Sequence, residues 1–180
     1  MNVQDTIRDY VVPRIETKVK ANLVLGDEIG RAILAASGLP IGVSPESVEF
    51  TLKFKYSYAQ EWIAEMGEYS DDKDKYPFLH VNAKGVTYEG DVVTIPEMVL
   101  ATVTDFTWTS EQKDANTPNP IILNILAYLE DSLDAYFGTE NGFCLRYEPL
   151  YNAQLNGENT NDYIDAVLIK NTKLRILKTC

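Results

Sequence analysis

Residues 47–58 alternate without a break. Val48, Phe50, Leu52, Phe54, Tyr56 and Tyr58 fall at one phase of a two-residue period, and Glu49, Thr51, Lys53, Lys55 and Ser57 at the other. Successive side chains of a strand point to opposite faces, so the run predicts a strand with one buried and one wet face. Its lysines would discourage edge pairing if the strand lies outermost. A different period opens the chain. Val3, Ile7, Val11, Ile15 and Val19 recur every four residues, with charged residues between them, which predicts an amphipathic helix. Pro13 lies inside that pattern and is expected to kink the helix or mark its true start. The strongest helix pattern is Ile122, Ile125, Leu126, Leu129, Leu133, Tyr136 and Phe137. It is introduced by Asn119-Pro120, a capping side chain followed by a first-turn proline, and ended by Gly138.

Between these runs the signals are shorter. A second helix is expected from Asp27, with Gly38 closing it and Pro40 preventing its continuation. Another short helix is expected over 59–67, bearing Trp62, Ile63 and Met66. Residues 78–81 read as a strand, and 86–88 with 92–95 as a hairpin about Glu89-Gly90-Asp91. Residues 98–103 follow Pro96 as another apolar strand. Residues 143–151 read as extended, and 163–170 and 173–178 as two final strands separated by Asn171-Thr172. Three polar stretches, 68–77, 104–119 and 154–162, read as long loops. The economical arrangement is one α+β domain over 1–180, a mainly antiparallel sheet with two or three helices packed on one face. Strands and helices do not alternate regularly, which disfavours a doubly wound nucleotide-binding fold.

Composition changes this picture in one respect, charge. At 180 residues the chain is large enough to bury a core without disulfide or metal. Its 27 acidic residues exceed its 16 basic ones, for a net charge of -11. Such a field repels nucleic-acid phosphates and anionic lipid, so neither sequence-specific nucleic-acid binding nor a membrane is expected as a partner. The plain reading of the charge is a solubility surface; the sharper one is an acidic face that meets a basic partner or mimics DNA. Cys144 and Cys180 make no disulfide framework. The first residues lack the charged head and apolar run of a signal peptide, and no apolar run reaches membrane-spanning length, so synthesis in a cytoplasm is the default expectation.

Candidate chemistry is sparse. His80, in the apolar run FLHVN, reads as a core or semi-buried residue. No Ser-His-Asp or Cys-His set can be ordered around it. No phosphate-binding glycine loop is present, and the two cysteines with one histidine cannot close a zinc site without carboxylate help. Asp71, Asp72 and Asp74 resemble a calcium loop but lack its glycine and distal glutamate, so they read as a solvated charge run. No catalytic, cofactor-binding or metal residue is assigned, and the chain is not expected to be an enzyme. The candidate site residues are contact residues. Phe106 and Trp108, aromatics on a long polar loop, are candidate intersubunit contacts, and Asp71, Asp72 and Asp74 are candidate partner-facing charges.

One longer pattern stands out. IPEMVLATVTDFTW from Ile95 is followed by a polar loop and then NPIILNILAYLEDSLDAYFG, and YPFLHVN precedes it. A strand opening with Ile-Pro-Glu, a Trp-containing turn and a Pro-initiated helix resemble small virion proteins of tailed bacteriophages, the tail terminators and head–tail connector ring subunits. The Asn- and Tyr-rich flavour is similar to phages of the crAss-like group. The resemblance centres on 95–137 and covers a third to a half of the chain. It implies a subunit of a cyclic homo-oligomer at the head–tail junction or tail end, touching other neck, portal or tail proteins and needing no cofactor. Its address would be the virion, after synthesis in the host cytoplasm. The runner-up is an acidic inhibitor or DNA mimic binding a basic host protein, against which stands the scatter of carboxylates over helices, loops and turns. An enzyme of another class would require a deep pocket with perturbed titratable groups.

Overall fold

A computed structural model of the chain describes residues 2–24, 51–57, 77–103, 120–150 and 164–177. The helices expected from Asp27 and over 59–67, and the loops at 104–119 and 154–162, lie outside the described residues, as does all of 68–77 except its last residue.

The period-four stripe folds as one long helical run: α1 (Val3–Thr6), a π-helical segment (Ile7–Val11) and α2 (Val12–Val24). Asn2 caps it, its Oδ1 accepting the Asp5 N–H at 2.7 Å. An α-helix holds 3.6 residues per turn, so a strict spacing of four drifts by about 40° at each step and would carry the stripe away from the core. A π turn closes five residues back and holds more residues per turn, which reverses the drift. Here Val12 N–H bonds the Ile7 carbonyl, and Val3, Ile7, Val11, Ile15 and Val19 are all fully buried. Pro13 neither starts nor ends the run. The Asp9 carbonyl, which its ring would crowd in a regular α-helix, lies inside the wide turn.

Among the described residues the sheet has six strands: β1 (Lys53–Ser57), β2 (Phe78–Asn82), β3 (Thr87–Glu89), β4 (Val92–Val103), β5 (Arg146–Leu150) and β6 (Ile164–Arg175). Their order is β1-β2-β4-β6-β5, with β3 beside the first residues of β4. Only β1 and β2 pair in parallel; the other ladders are antiparallel. The described part of the alternating run thus forms an edge strand of the described sheet from Lys53 on. Leu52 stays out of it, because its N–H is taken by Glu16 of α2 at 2.8 Å. The hairpin forms where expected, with Gly90 at φ 66 in the first turn position, as a II′ turn requires.

Two expected breaks are not strand ends. β4 runs through Pro96 and β6 runs through Asn171. The register explains both. Val93 pairs with Leu174 and Ile95 with Thr172, and these four are buried; beyond the break Met98 pairs with Ile169 and Leu100 with Val167, again buried. Along this face the buried phase is odd before Pro96 in β4 and even after it, and likewise odd before Asn171 in β6 and even after it. Both strands invert their pleat at the unpaired opposition of Pro96 and Asn171, where Asn171 takes φ 51. The ladder therefore continues while the core face is kept.

One face of the sheet carries the core. Leu79, Val81, Met98, Leu100, Val167 and Ile169 meet the buried stripe of the N-terminal run and that of α3 (Pro120–Tyr136). Ile122, Ile125, Leu126, Leu129, Leu133 and Phe137 supply the latter, each worth roughly 1.5–3 kcal/mol of burial. The arrangement is α+β, helices on one face of a mainly antiparallel sheet. Gly138 ends α3 by close approach: its N–H and C=O each bond Arg175 of β6 at 2.8 Å, and a Cβ there would lie 3.1 Å from Leu177 Cδ2. No helix among the described residues is long and apolar enough to cross a membrane.

Candidate functional site

The sequence-predicted contact residues Phe106, Trp108, Asp71, Asp72 and Asp74 lie outside the described residues. Among the described residues three other places gather polar or charged side chains.

The first is the sheet face opposite the helices. Cross-strand neighbours share a face, so the register lays side chains out in rows. Ser57, Asn82, Glu97, Lys170 and Arg146 form one row across five strands. Within it Asn82 Nδ2 donates to Glu97 Oε2 at 3.0 Å, and Lys170 pairs with Glu148. The next row is Lys55, His80, Val99, Leu168 and Glu148, and the one after it contains Phe78, Ala101 and Ala166. His80 is fully buried, with its Nε2 2.9 Å from Ser57 Oγ and its ring stacked on Phe78. Val99 and Ala101 beside it are closed to solvent as well. A Ser-His pair is half of a nucleophilic set. Burial of the ring keeps it from any solute, so in this conformation the pair acts as a structural hydrogen bond tying edge strand β1 to β2.

The second place is a cleft of about 420 Å³ along the C-terminal half of α3, lined by Glu130, Asp131, Asp134 and Glu140 with the turn at Asn141-Gly142. Glu130 Oε2 accepts the Leu145 N–H at 2.7 Å and so fixes the approach to β5. Its hydrogen bond with Cys144, and then its charge, push the exposed Cys144 thiol above its ordinary pKa, the opposite of what an activated nucleophile needs. Asp134 accepts from Thr139 Oγ1. The last turn of α3 carries no basic residue, so these carboxylates add to the negative end of the helix dipole.

The third is a cleft of about 450 Å³ between the N-terminal run and the end of α3, lined by Asp9, Tyr10, Pro13, Arg14, Thr17, Lys18 and Tyr136. Tyr10 and Tyr136 stack obliquely, ring centroids 5.5 Å apart. Arg14 and Lys18 both donate to Oδ2 of Asp131, a residue that lines the acidic cleft. Lys18's hydrogen bond, then Arg14's, hold the Asp131 carboxyl below the usual aspartate range. On the outer side of the π turn Arg8 forks onto Asp9 through two nitrogens and lowers its pKa in the same way.

Among the described residues no group of three or more His, Cys, Asp or Glu side chains is placed to hold a metal ion. Sequence reasoning missed the acidic cleft, although its signal was present: Glu130, Asp131 and Asp134 share one edge of an otherwise apolar helix. It also missed the Ser57–His80 bond, for which no local signal exists, since it depends on a parallel register between distant strands. Comparison with protein-family models, with curated proteins and with solved structures finds no match for this chain.

Proposed function

We propose that the chain is a structural subunit of a tailed-phage virion, assembling as a cyclic homo-oligomer at the head–tail junction or tail end and contacting portal, neck or tail proteins. The observation that carries this reading is the run from Ile95 to Phe137. In it a strand holding Ile95-Pro96-Glu97 is followed in the chain by a long helix starting at Pro120, two of the elements on which the resemblance rests. The character of the described surface supports it. The exposed large apolar residues include Tyr10, Tyr88 and Tyr147, and amphipathic tyrosines suit contacts that form after folding. Cyclic subunits join through heterologous patches, which leaves both sides of each subunit engaged only in the ring. Size-exclusion chromatography with light scattering, followed by negative-stain imaging, tests the reading. Closed rings of uniform stoichiometry are expected; a monomer at every concentration, alone and with phage neck proteins, would rule it out. The runner-up, an acidic inhibitor of a basic host protein, draws on the carboxylates along α3. Salt-sensitive binding to a nuclease or nucleoid protein would move it ahead.

A further inference from the structure

We infer that the outer face of α3 is a two-fold contact surface for a second copy of this chain. The acidic cleft and the cleft that holds Arg14 and Lys18 are linked through Asp131, which lines the first and accepts from both cations of the second. On one side Arg14 and Lys18 converge on a single oxygen of Asp131, so two cations share one carboxylate. The Arg14 Nε has no acceptor in addition. On the other side Asp134 and Glu140 are exposed, and neither has a cationic partner among the described residues. Cation excess and anion excess therefore lie side by side, since Asp131, which the cations share, and Asp134 are neighbours at i and i+3 on α3.

Such a pattern is self-complementary under a two-fold axis near Asp131. The Arg14–Lys18 side of each copy then faces the Asp134–Glu140 side of the other, and every contact is made twice. The residues beside these charges suit a contact. Tyr10, 44% exposed, and Tyr136 offer an amphipathic patch, and the exposed Ala127 and Ala135 let two helices approach closely. The net charge of -11 opposes association at long range. Near physiological ionic strength that repulsion is screened beyond about 8 Å, while opposite charges in direct contact are screened less.

Sedimentation equilibrium over a range of protein concentrations tests the contact, with circular dichroism melts to establish that each variant folds. R14E/K18E and D134K/E140K should each weaken self-association by roughly tenfold or more, because each turns the two-fold contact into like against like. An equimolar mixture of the two variants should recover it, since in the mixed dimer every facing pair is again opposite. The milder R14Q/K18Q should weaken it less, and serves if charge reversal disturbs folding. A wild-type chain that stays monomeric, or self-association indifferent to both charge reversals, overturns the inference. This contact does not rest on the ring reading: rings that form and ignore these substitutions would leave that reading standing and remove this one.

Discussion

Cys144 is exposed, yet the residue beside it makes it a poor nucleophile. Its thiol is pushed up first by the hydrogen bond with Glu130, then by the Glu130 charge. Thiolate, not thiol, reacts with disulfide reagents. In a Cys180→Ser background, Cys144 should therefore react slowly with an aromatic disulfide at neutral pH, and Glu130→Gln should quicken it. An unchanged rate would mean that Glu130 does not control the thiol. Two buried hydroxyls pose the opposite problem. Ser132 Oγ and Thr172 Oγ1 are buried with no hydrogen-bond partner. An unsatisfied buried polar group costs on the order of 1–3 kcal/mol, and Ala is the better helix former at position 132. Ser132→Ala and Thr172→Val are expected to be neutral or to stabilise by about 1 kcal/mol in urea titrations. A clear loss in both would point to a buried water holding the hydroxyls.

At the scale of elements, periodicity makes most of the described fold legible, and the departures share one cause. The stripe of Val3 to Val19 and that of Ile122 to Phe137 were read as helices, the hairpin about Gly90 as a hairpin, and Gly138 as a helix end; the described residues agree. Pro13 reads locally as a kink or a helix start, and Pro96 and Asn171 as strand breaks, because a local rule sees only the residue that disturbs a pattern. It does not see the partner that absorbs the disturbance: the π turn for Pro13, the opposing strand for Pro96 and Asn171. The candidate site was less legible, since charges from α2 and α3 meet only through tertiary packing. The paired pleat inversion makes a sharp demand at Asn171, whose φ is 51. Asn171→Gly should leave stability within about 0.5 kcal/mol, whereas Asn171→Val should cost on the order of 1–2 kcal/mol, since a β-branched residue resists the left-handed region. Equal stabilities would mean that the strands straighten at little cost.

The link between α2 and α3 has a pH signature. Arg14 and Lys18 hold the Asp131 carboxyl below its usual pKa, so its contribution is present above about pH 4 and is lost as pH falls through the depressed value. Asp131 is about half exposed, so the pair is worth no more than about 1 kcal/mol. Wild type should exceed Asp131→Asn in stability by a constant small margin near neutral pH, and the margin should close as pH drops below about 4. A margin that persists in acid would assign the effect to packing rather than charge.

For the molecule as a whole, the deciding quantity is the excess of carboxylates over cations. A net charge of -11 on 180 residues destabilises the compact state through self-repulsion, because unfolding lets the charges separate. Against this stand ion pairs with exposed side chains, such as Arg8–Asp5, Lys170–Glu148 and Arg175–Asp91. Exposed pairs contribute little each and are themselves screened by salt. The two effects respond to salt with opposite sign, so a salt titration shows which is larger. Repulsion acts over the full set of charges at distances beyond the Debye length of about 10 Å at 0.1 M, where screening is most complete, whereas paired groups in contact lose less. Raising sodium chloride from roughly 0.05 M to 0.5 M should therefore raise the melting temperature. Thermal melts at fixed pH check this, run at low protein concentration to hold association constant. A melting temperature that falls with salt would mean that the ion pairs, with the α2–α3 link at Asp131 foremost among them, outweigh the repulsion of the surface they sit on.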